Sequence, residues 1–418
     1  MTGRRRSLVG AVALAVALLG RTPRACAETP TAGAAHDEAR AEDGAARLRA
    51  LGYVDTALDD PDRARRGVVR LVGDRTQTGW NLYCSVGSER AMFIDLRGSV
   101  VHELRVPAGG RGSDCLAEPY GENAFLILTE PYLALIGPDS RVIWRSECGH
   151  HHDFAVADDG AIYALTQKAS RIAHQGRELP LRAEGVTVLE PDGTVRREID
   201  LLGLFAARIP PTRLASMAAL VEQGNECTPA YAGASNVLHA NGIEWLRRPL
   251  GPGRRGHLLV SFREIDTIAI VDPEVPTVVW SWGPGVLDMP HHPSVLPNDR
   301  ILVFDNGKHR GFSRLLEVDP VNARTTWEYR ADLPESFFSP VRGSAEPLAN
   351  GNVLVTESTR GRVFEVTRDK QVVWDFWNPE TTPGGKRRQI YRMVRVARDP
   401  TKPTVSASGK VSDGGPAP

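Results

Sequence analysis

His152 opens the segment HDFAVADDGAIYAL, His291 opens HHPSVLPNDRILVF, and His239 opens HANGI between them. Eight residues run from His152 to Gly160 and eight from His291 to Asp299, each time ending at a turn. If these segments are structural repeats, equivalent positions face equivalent directions, and the three imidazoles converge on one point. Converging imidazoles can supply a nucleophile, a proton donor and acceptor, or metal ligands, because a neutral imidazole is available near pH 7.

Arg263 lies in LLVSFREIDTIAIVD, inside an otherwise apolar strand. A guanidinium there needs an anion, and its fork matches a three-oxygen anionic group with two parallel hydrogen bonds. The competing reading is a structural salt bridge to Glu264 or Asp266. Asn241 follows His239 by two residues and so shares its face of the strand. At the matching offset in the last repeat stands Gly343, flanked by Arg342 and Ser344. In the run His150, His151, His152 only the alternate pair 150 and 152 shares a face. His151 is therefore expected to point into the sheet, and His292 to point away from the cluster.

The elements that must hold these residues repeat between about Val68 and Val396. His291 lies 52 residues after His239, and Gly343 lies 52 after His291. Each repeat has a first strand ending at an Asn-Gly or Asn-Asp turn, which suits a tight hairpin. An apolar second strand follows (Ile301–Phe304, Val353–Thr356), then a third reading LLEVD or VFEVT. A fourth strand ends in Trp144, Trp280, Trp327 or Trp374. Four short strands per repeat make a propeller blade. The chain is thus expected to be all-β, a six-bladed β-propeller spanning 68–396, with blades at about 68–106, 107–147, 148–203, 226–286, 287–338 and 339–396. The first strand of each blade lines the central channel. The stretch 204–225 breaks the pattern, looks helical after Pro211, and is placed beside the channel mouth. The repeated tryptophans are expected to pack between blades.

Lys plus Arg number 51 and Asp plus Glu number 51, which argues against a nucleic-acid partner or an anionic membrane surface. Residues 1–27 read as an export signal: Arg4-Arg5-Arg6, an apolar stretch from Leu8 to Leu19 too short to span a bilayer, then Ala25-Cys26-Ala27. Cleavage there leaves no integral membrane span and an exported chain, periplasmic or extracellular. Residues 28–67 read as a linker with one short helix, and 397–418 as a disordered tail. Four cysteines remain, Cys84, Cys115, Cys148 and Cys227, an even number that favours disulfides in an exported protein. Cys148 with Cys227 is the expected bridge, since each shortly precedes a histidine-bearing segment on the same rim.

The segments GHHHDF, LHANGI, SFREIDTIAIVD, PHHPSVLPNDRILVFDNG and GSAEPLANGNVLVTES resemble the bacterial arylsulfotransferase family. The resemblance covers most of residues 80–396. It implies an exported six-bladed propeller that moves a sulfuryl group from an aryl sulfate to a phenolic acceptor, without a nucleotide donor, through a sulfohistidine. It implies His291 as nucleophile, His152 and His239 as the other channel histidines, and Asn241 and Arg263 as sulfuryl ligands. The last-blade hydroxyl falls to Ser344 or Thr356, with Arg342 beside them as a substrate-binding group. The chain departs from the pattern where His292 and Pro293 follow the nucleophile, and where an arginine-rich insert separates Asn241 from Arg263. No cofactor is implied, and no phosphate-cradling G-x-x-x-x-G-K-[ST] loop occurs.

Two other classes compete. The three histidines could hold Zn²⁺ or Mn²⁺ in a hydrolase or lyase propeller, which metal content and chelator sensitivity would reveal. A non-catalytic ligand-binding propeller would use the same channel as a receptor. Either leaves room for an oligomer. Tyr231, Phe312, Phe337 and Phe338 are the candidates for an aromatic platform at the mouth.

Overall fold

The computed structural model describes residues 62–108, 114–224, 229–397 and 399. The expected export signal, nearly all of the linker and tail, and Cys227 lie outside the described residues. Strands form six antiparallel sheets arranged as the blades of a ring, a six-bladed β-propeller. The innermost strands are Leu116–Tyr120, His150–Val156, Ala240–Trp245, His291–Val295, Ser344–Pro347 and Ile390–Val396.

Blades two to five run in simple sequence order from the inside outward, as their turn chemistry directs. Blade three carries the longest hairpin, Ile162–His174 against Arg177–Leu189. Its tip is Gln175-Gly176, both at positive φ (49° and 78°), the two-residue turn whose twist matches paired strands.

Ring closure departs from the sequence reading. The innermost strand of blade one is the last of the chain: Val396 pairs with Trp80 and Val394 with Leu82. Conversely Gly67–Leu71, expected in blade one, is a fifth, outermost strand on blade six, where Gly67 pairs with Trp377. Blade one therefore spans 80–105 plus 390–396. Each terminus is hydrogen-bonded to a blade built from the other end of the chain, so neither blade can detach alone.

The core lies between neighbouring sheets. Phe304 of blade five and Phe364 of blade six meet edge-to-face on Phe337 at 5.6 and 5.4 Å. The outer-strand tryptophans tie one blade to the next. Trp144 donates its indole N–H to Pro191 O, Trp282 to Ala323 O, Trp327 to Arg368 O and Trp374 to Leu96 O. In blade four the residue that makes this tie is Trp282, two positions beyond the expected Trp280.

The segment after blade three is helical at Leu201–Phe205, Pro211–Glu222 and Pro229–Ser235, with Pro211 at the first helical position. Phe205, Met217 and Tyr231 pack on Ile172 and Leu179 of the long hairpin.

The disulfide present joins Cys84 to Cys115, closing a 31-residue separation across blades one and two. A loop of that size contributes about 3–4 kcal/mol on a chain-entropy account. The expected Cys148–Cys227 bridge is not made at its described end, since Cys148 is a free thiol that accepts from Ser146. The pairing instead joins cysteines that ring assembly brings together, and spacing along the chain carries no trace of that.

Candidate active site

Four blades enter the channel through a residue in the left-handed backbone region: His152 (φ 60°), His239 (φ 54°), His292 (φ 43°) and Arg342 (φ 58°). Register shifts accompany the first three, between Ala164 and Thr166, Ala240 and Gly242, and His291 and Ser294. Bulges of this kind turn a strand and re-aim its side chains, and they gather beside functional sites. Gly242 and Gly343 permit the accompanying close approach. A Cβ on Gly242 would lie 2.9 Å from the backbone N of His292, and one on Gly343 2.6 Å from the Phe304 ring.

The bulges overturn strict alternation. His150 does not share the channel with His152; its Nε2 lies 2.9 Å from Ser146 Oγ of blade two. His151 points into its blade as expected, against Glu184 at 2.9 Å. His292 turns away from the cluster as expected, lining a cavity of about 780 Å³ in the other half of the channel with Glu118, Glu244, Glu346 and Arg392.

The structure brings His152, His239, His291, Arg263 and Arg342 together. The rings of His152 and His239 lie 4.6 Å apart. Burial depresses the basicity of His152, and His151, His291, Arg263 and Arg342 push it further down. His239 is held low by burial and by Arg263. Burial, with Arg263 beside it, brings His291 down to about 3. All three imidazoles are therefore held toward the neutral form, with the Arg263 guanidinium adding to the effect of burial.

His291 is held in one tautomer. Its Nδ1 lies 2.7 Å from Asn306 Oδ1. Asn306 Nδ2 donates to Ser339 O at 2.7 Å and to Arg342 O at 2.5 Å, which fixes the amide with its oxygen toward the ring. Nδ1 must then carry the proton, and Nε2 keeps its lone pair. At His239, Nδ1 lies 2.6 Å from the Asn236 amide.

Arg263 is not in mid-strand as expected. It follows the strand Leu258–Phe262 and opens the short turn Arg263–Ile265. Its Nε donates to Glu264 Oε1 at 2.9 Å, so the competing salt bridge is real. Glu264 also pairs with Arg213 of the helix Pro211–Glu222, which puts the helical insertion next to the site. Arg342 donates from Nε to Asp114 Oδ1 at 2.8 Å and from Nη1 to Gln389 Oε1 at 2.5 Å.

Asn241 is engaged by the fold. Nδ2 donates to Pro290 O at 2.9 Å and Oδ1 accepts from Ser261 at 2.5 Å, which ties blade four to the residue before His291. Of the two hydroxyls, Thr356 accepts from Met393 N at 3.1 Å, whereas Ser344 Oγ is buried without a hydrogen-bond partner. Tyr231 and Phe337 are core residues. Sequence reasoning missed Asn306, although FDNG was conspicuous. It also missed Tyr391, whose hydroxyl donates to His152 O at 2.7 Å from the strand that closes the ring.

The electrostatics set a pH dependence of stability. His150 and His291 titrate at about 3, and burial holds His152, His239 and His292 lower than their ordinary value. A depressed imidazole contributes stability that is present above about pH 6.5 and lost as pH falls, up to about 1.4 kcal/mol per unit each. Glu118 and Glu244, raised by burial to about 7, and Glu346, to about 8, act oppositely, losing stability as pH rises from their ordinary value. The three carboxylates offset part of the loss from the five imidazoles between about pH 4.5 and 6.5, and none of it below that. Calorimetry should show a melting temperature that falls gently over that window and more steeply below about pH 4.5. A level acid limb would mean that the imidazoles protonate inside the fold.

A family described as arylsulfotransferase (ASST) matches residues 133–379. No protein of curated function matches the chain. Among solved structures, a Bacteroides caccae protein of unknown function is similar, 12% identical, covering 77% of this chain and 100% of its own at a TM-score of 0.50. A streptogramin B lyase is 12% identical, covering 82% of this chain and 97% of its own, at a TM-score of 0.44. The first shows the shared fold and the second carries no argument. Among the described residues no helix is long and apolar enough to cross a membrane.

Proposed function

This chain belongs to the arylsulfotransferase family, and on that footing we propose that it transfers a sulfuryl group from an aryl sulfate ester to a phenol through a covalent sulfohistidine at His291. The observation that carries this reading is the Asn306 relay, which leaves Nε2 of a neutral, buried imidazole as a lone pair among guanidinium groups.

In the first half-reaction His291 Nε2 attacks sulfur, the N–S bond forms, and the sulfur–oxygen bond to the phenolate breaks. The electron pair of that bond leaves with the phenolate oxygen. Arg263 and Arg342 offer donors to the sulfuryl oxygens as charge redistributes, worth about 3 kcal/mol per donor. His239 or His152, protonated from solvent once the anion is bound, gives that proton to the departing oxygen and takes one back from the acceptor phenol. Bringing in the sulfate anion offsets part of the guanidinium push and raises both imidazoles toward a working range. The second half-reaction reverses these steps on an acceptor phenol. Ser344, with its unpartnered hydroxyl, is the substrate-binding group on blade six, and Asn241 is a positioning residue. The Cys84–Cys115 bridge and the leader composition fit an exported protein, periplasmic or extracellular.

The test is release of a fluorogenic phenol from its sulfate ester, with and without an acceptor phenol. Release that requires the acceptor, with a one-sulfuryl mass increase on the chain when the acceptor is withheld, is expected. Release indifferent to acceptor would mean hydrolysis and sink the transferase reading.

Asn306 gives a sharper test of the relay. Asn306→Ala should lower kcat/KM about a hundredfold, because the ring loses its fixed tautomer. Asn306→Asp puts a carboxylate on Nδ1 and should move the acid limb of the pH profile upward, since a nearby negative charge favours imidazolium. An unmoved limb in Asn306→Asp would show that Asn306 only supports the loop.

A further inference from the structure

Next to His152, toward the interior of blade three, lies a group of side chains that sulfuryl transfer does not use. Glu130 sits at the turn between two strands of blade two, His151 precedes His152, and Glu184 lies on the third strand of blade three. Ligand-type atoms of Glu130, His151 and His152 all fall within 4.8 Å of one another. Glu184 Oε2 is 2.9 Å from His151 Nε2, yet the two form no aligned hydrogen bond.

His151 Nε2 and both carboxylate oxygens of Glu184 are buried with no hydrogen-bond partner. His151 is 1% exposed and Glu184 2%. His151 Nε2 and Glu184 Oε2 face each other at 2.9 Å, so either a proton or a cation must lie between their lone pairs, and Glu184 Oε1 is left for a further ligand-type contact. The other side of the His151 ring is already anchored by a hydrogen bond to the Thr166 carbonyl. A backbone carbonyl on the far ring nitrogen is how metal-ligating histidines are held in tautomer and orientation.

We propose that Glu130, His151, His152 and Glu184 form a binding site for one divalent transition-metal ion of the Zn²⁺ type, adjoining the transfer site through His152. Two imidazoles and two carboxylates suit a borderline ion, and two carboxylates match its charge. Four ligands at about 2.1 Å from an ion stand about 3.4 Å from each other, within small side-chain movements of the spacing here. Glu130, with 28% of its side chain exposed, provides the way in. This is not the trio that sequence spacing suggested. His239 and His291 are occupied by Asn236 and Asn306, and the gathered ligands come from blades two and three. A bound ion would fix the His152 ring where it faces His239.

The competing occupant is a proton shared by His151 and Glu184, and metal titration separates the two. The purified full chain, stripped with a chelator, is titrated with Co²⁺ and then Zn²⁺ while the visible spectrum is followed. One Co²⁺ per chain, with the intense bands of a four- or five-coordinate ion that Zn²⁺ displaces, is expected. Glu130→Gln and His151→Gln should each weaken binding about a hundredfold or more, a direct ligand counting for at least as much as an outer partner. Glu130 lies at a partly exposed turn, so its variant should keep the native circular dichroism. A folded native chain that retains neither ion, or affinity unchanged in both variants, overturns the proposal. Because the readout is binding, the result stands whether or not the chain turns over aryl sulfates.

Discussion

His291→Ala is expected to abolish acceptor-dependent sulfuryl transfer, with kcat reduced by about four orders of magnitude or more. Losing the attacking atom of a covalent mechanism removes the pathway and leaves only what binding and charge stabilisation supply without it. The variant should also fail to gain the mass of a sulfuryl group from an aryl sulfate. The fold should survive. The ring's fixed partners are Asn306 Oδ1 and, at 3.3 Å, Met289 O, and the ring itself bridges no two blades. Asn306 keeps its bonds to Ser339 and Arg342. Added imidazole, small enough for the space left, should restore part of the turnover by presenting the same lone pair. Undiminished covalent labelling of His291→Ala would move the nucleophile to His239 or His152 and break the link between the Asn306 relay and the chemistry.

The parts of this molecule that were legible in its sequence are those encoded locally. Asn350-Gly351 between two apolar runs is a hairpin wherever it occurs, and the 52-residue spacing of His239, His291 and Gly343 follows from stacking equal blades. The repeat register also found His152, His239 and His291, because the start of an inner strand has the same place in every blade. Ring closure was not legible. Ile390–Val396 continues blade six along the chain, and its true partner Trp80–Ser85 lies some three hundred residues away. Tyr391 was hidden for the same reason, since it lies on the closing strand. The failure at His150 is of another kind. A period of two predicts faces only in an unbroken strand, and the bulge beside it inserts a left-handed step that a side-chain pattern does not announce. Asn306 was visible in FDNG as a residue but not as a partner, because its meaning lies in a 2.7 Å contact to His291.

Arg263→Lys should lower kcat by about 10²–10³-fold with the fold intact, the loss expected when one donor aimed at developing charge is removed. The pairing of Glu264 weighs against a purely structural reading. The Arg263 guanidinium meets Glu264 through Nε and Nη2, and Glu264 is already paired with Arg213. Glu264 therefore does not depend on Arg263 for its only counter-charge, as a buried structural carboxylate would. The same guanidinium lies near enough to His152, His239 and His291 to depress all three. A lysine keeps the positive charge but has a single nitrogen, which can answer Glu264 or the sulfuryl oxygens and not both. The loss should therefore fall on kcat while the acid limb of the pH profile stays where it is. Arg263→Gln separates charge from geometry. With the cation gone, His291 should become more basic, so the acid limb should move upward as well as the rate falling. Turnover within about threefold of native in Arg263→Lys would make Arg263 a source of field alone, and the fork would have to be sought in Arg342, anchored on Asp114 and Gln389 across the channel.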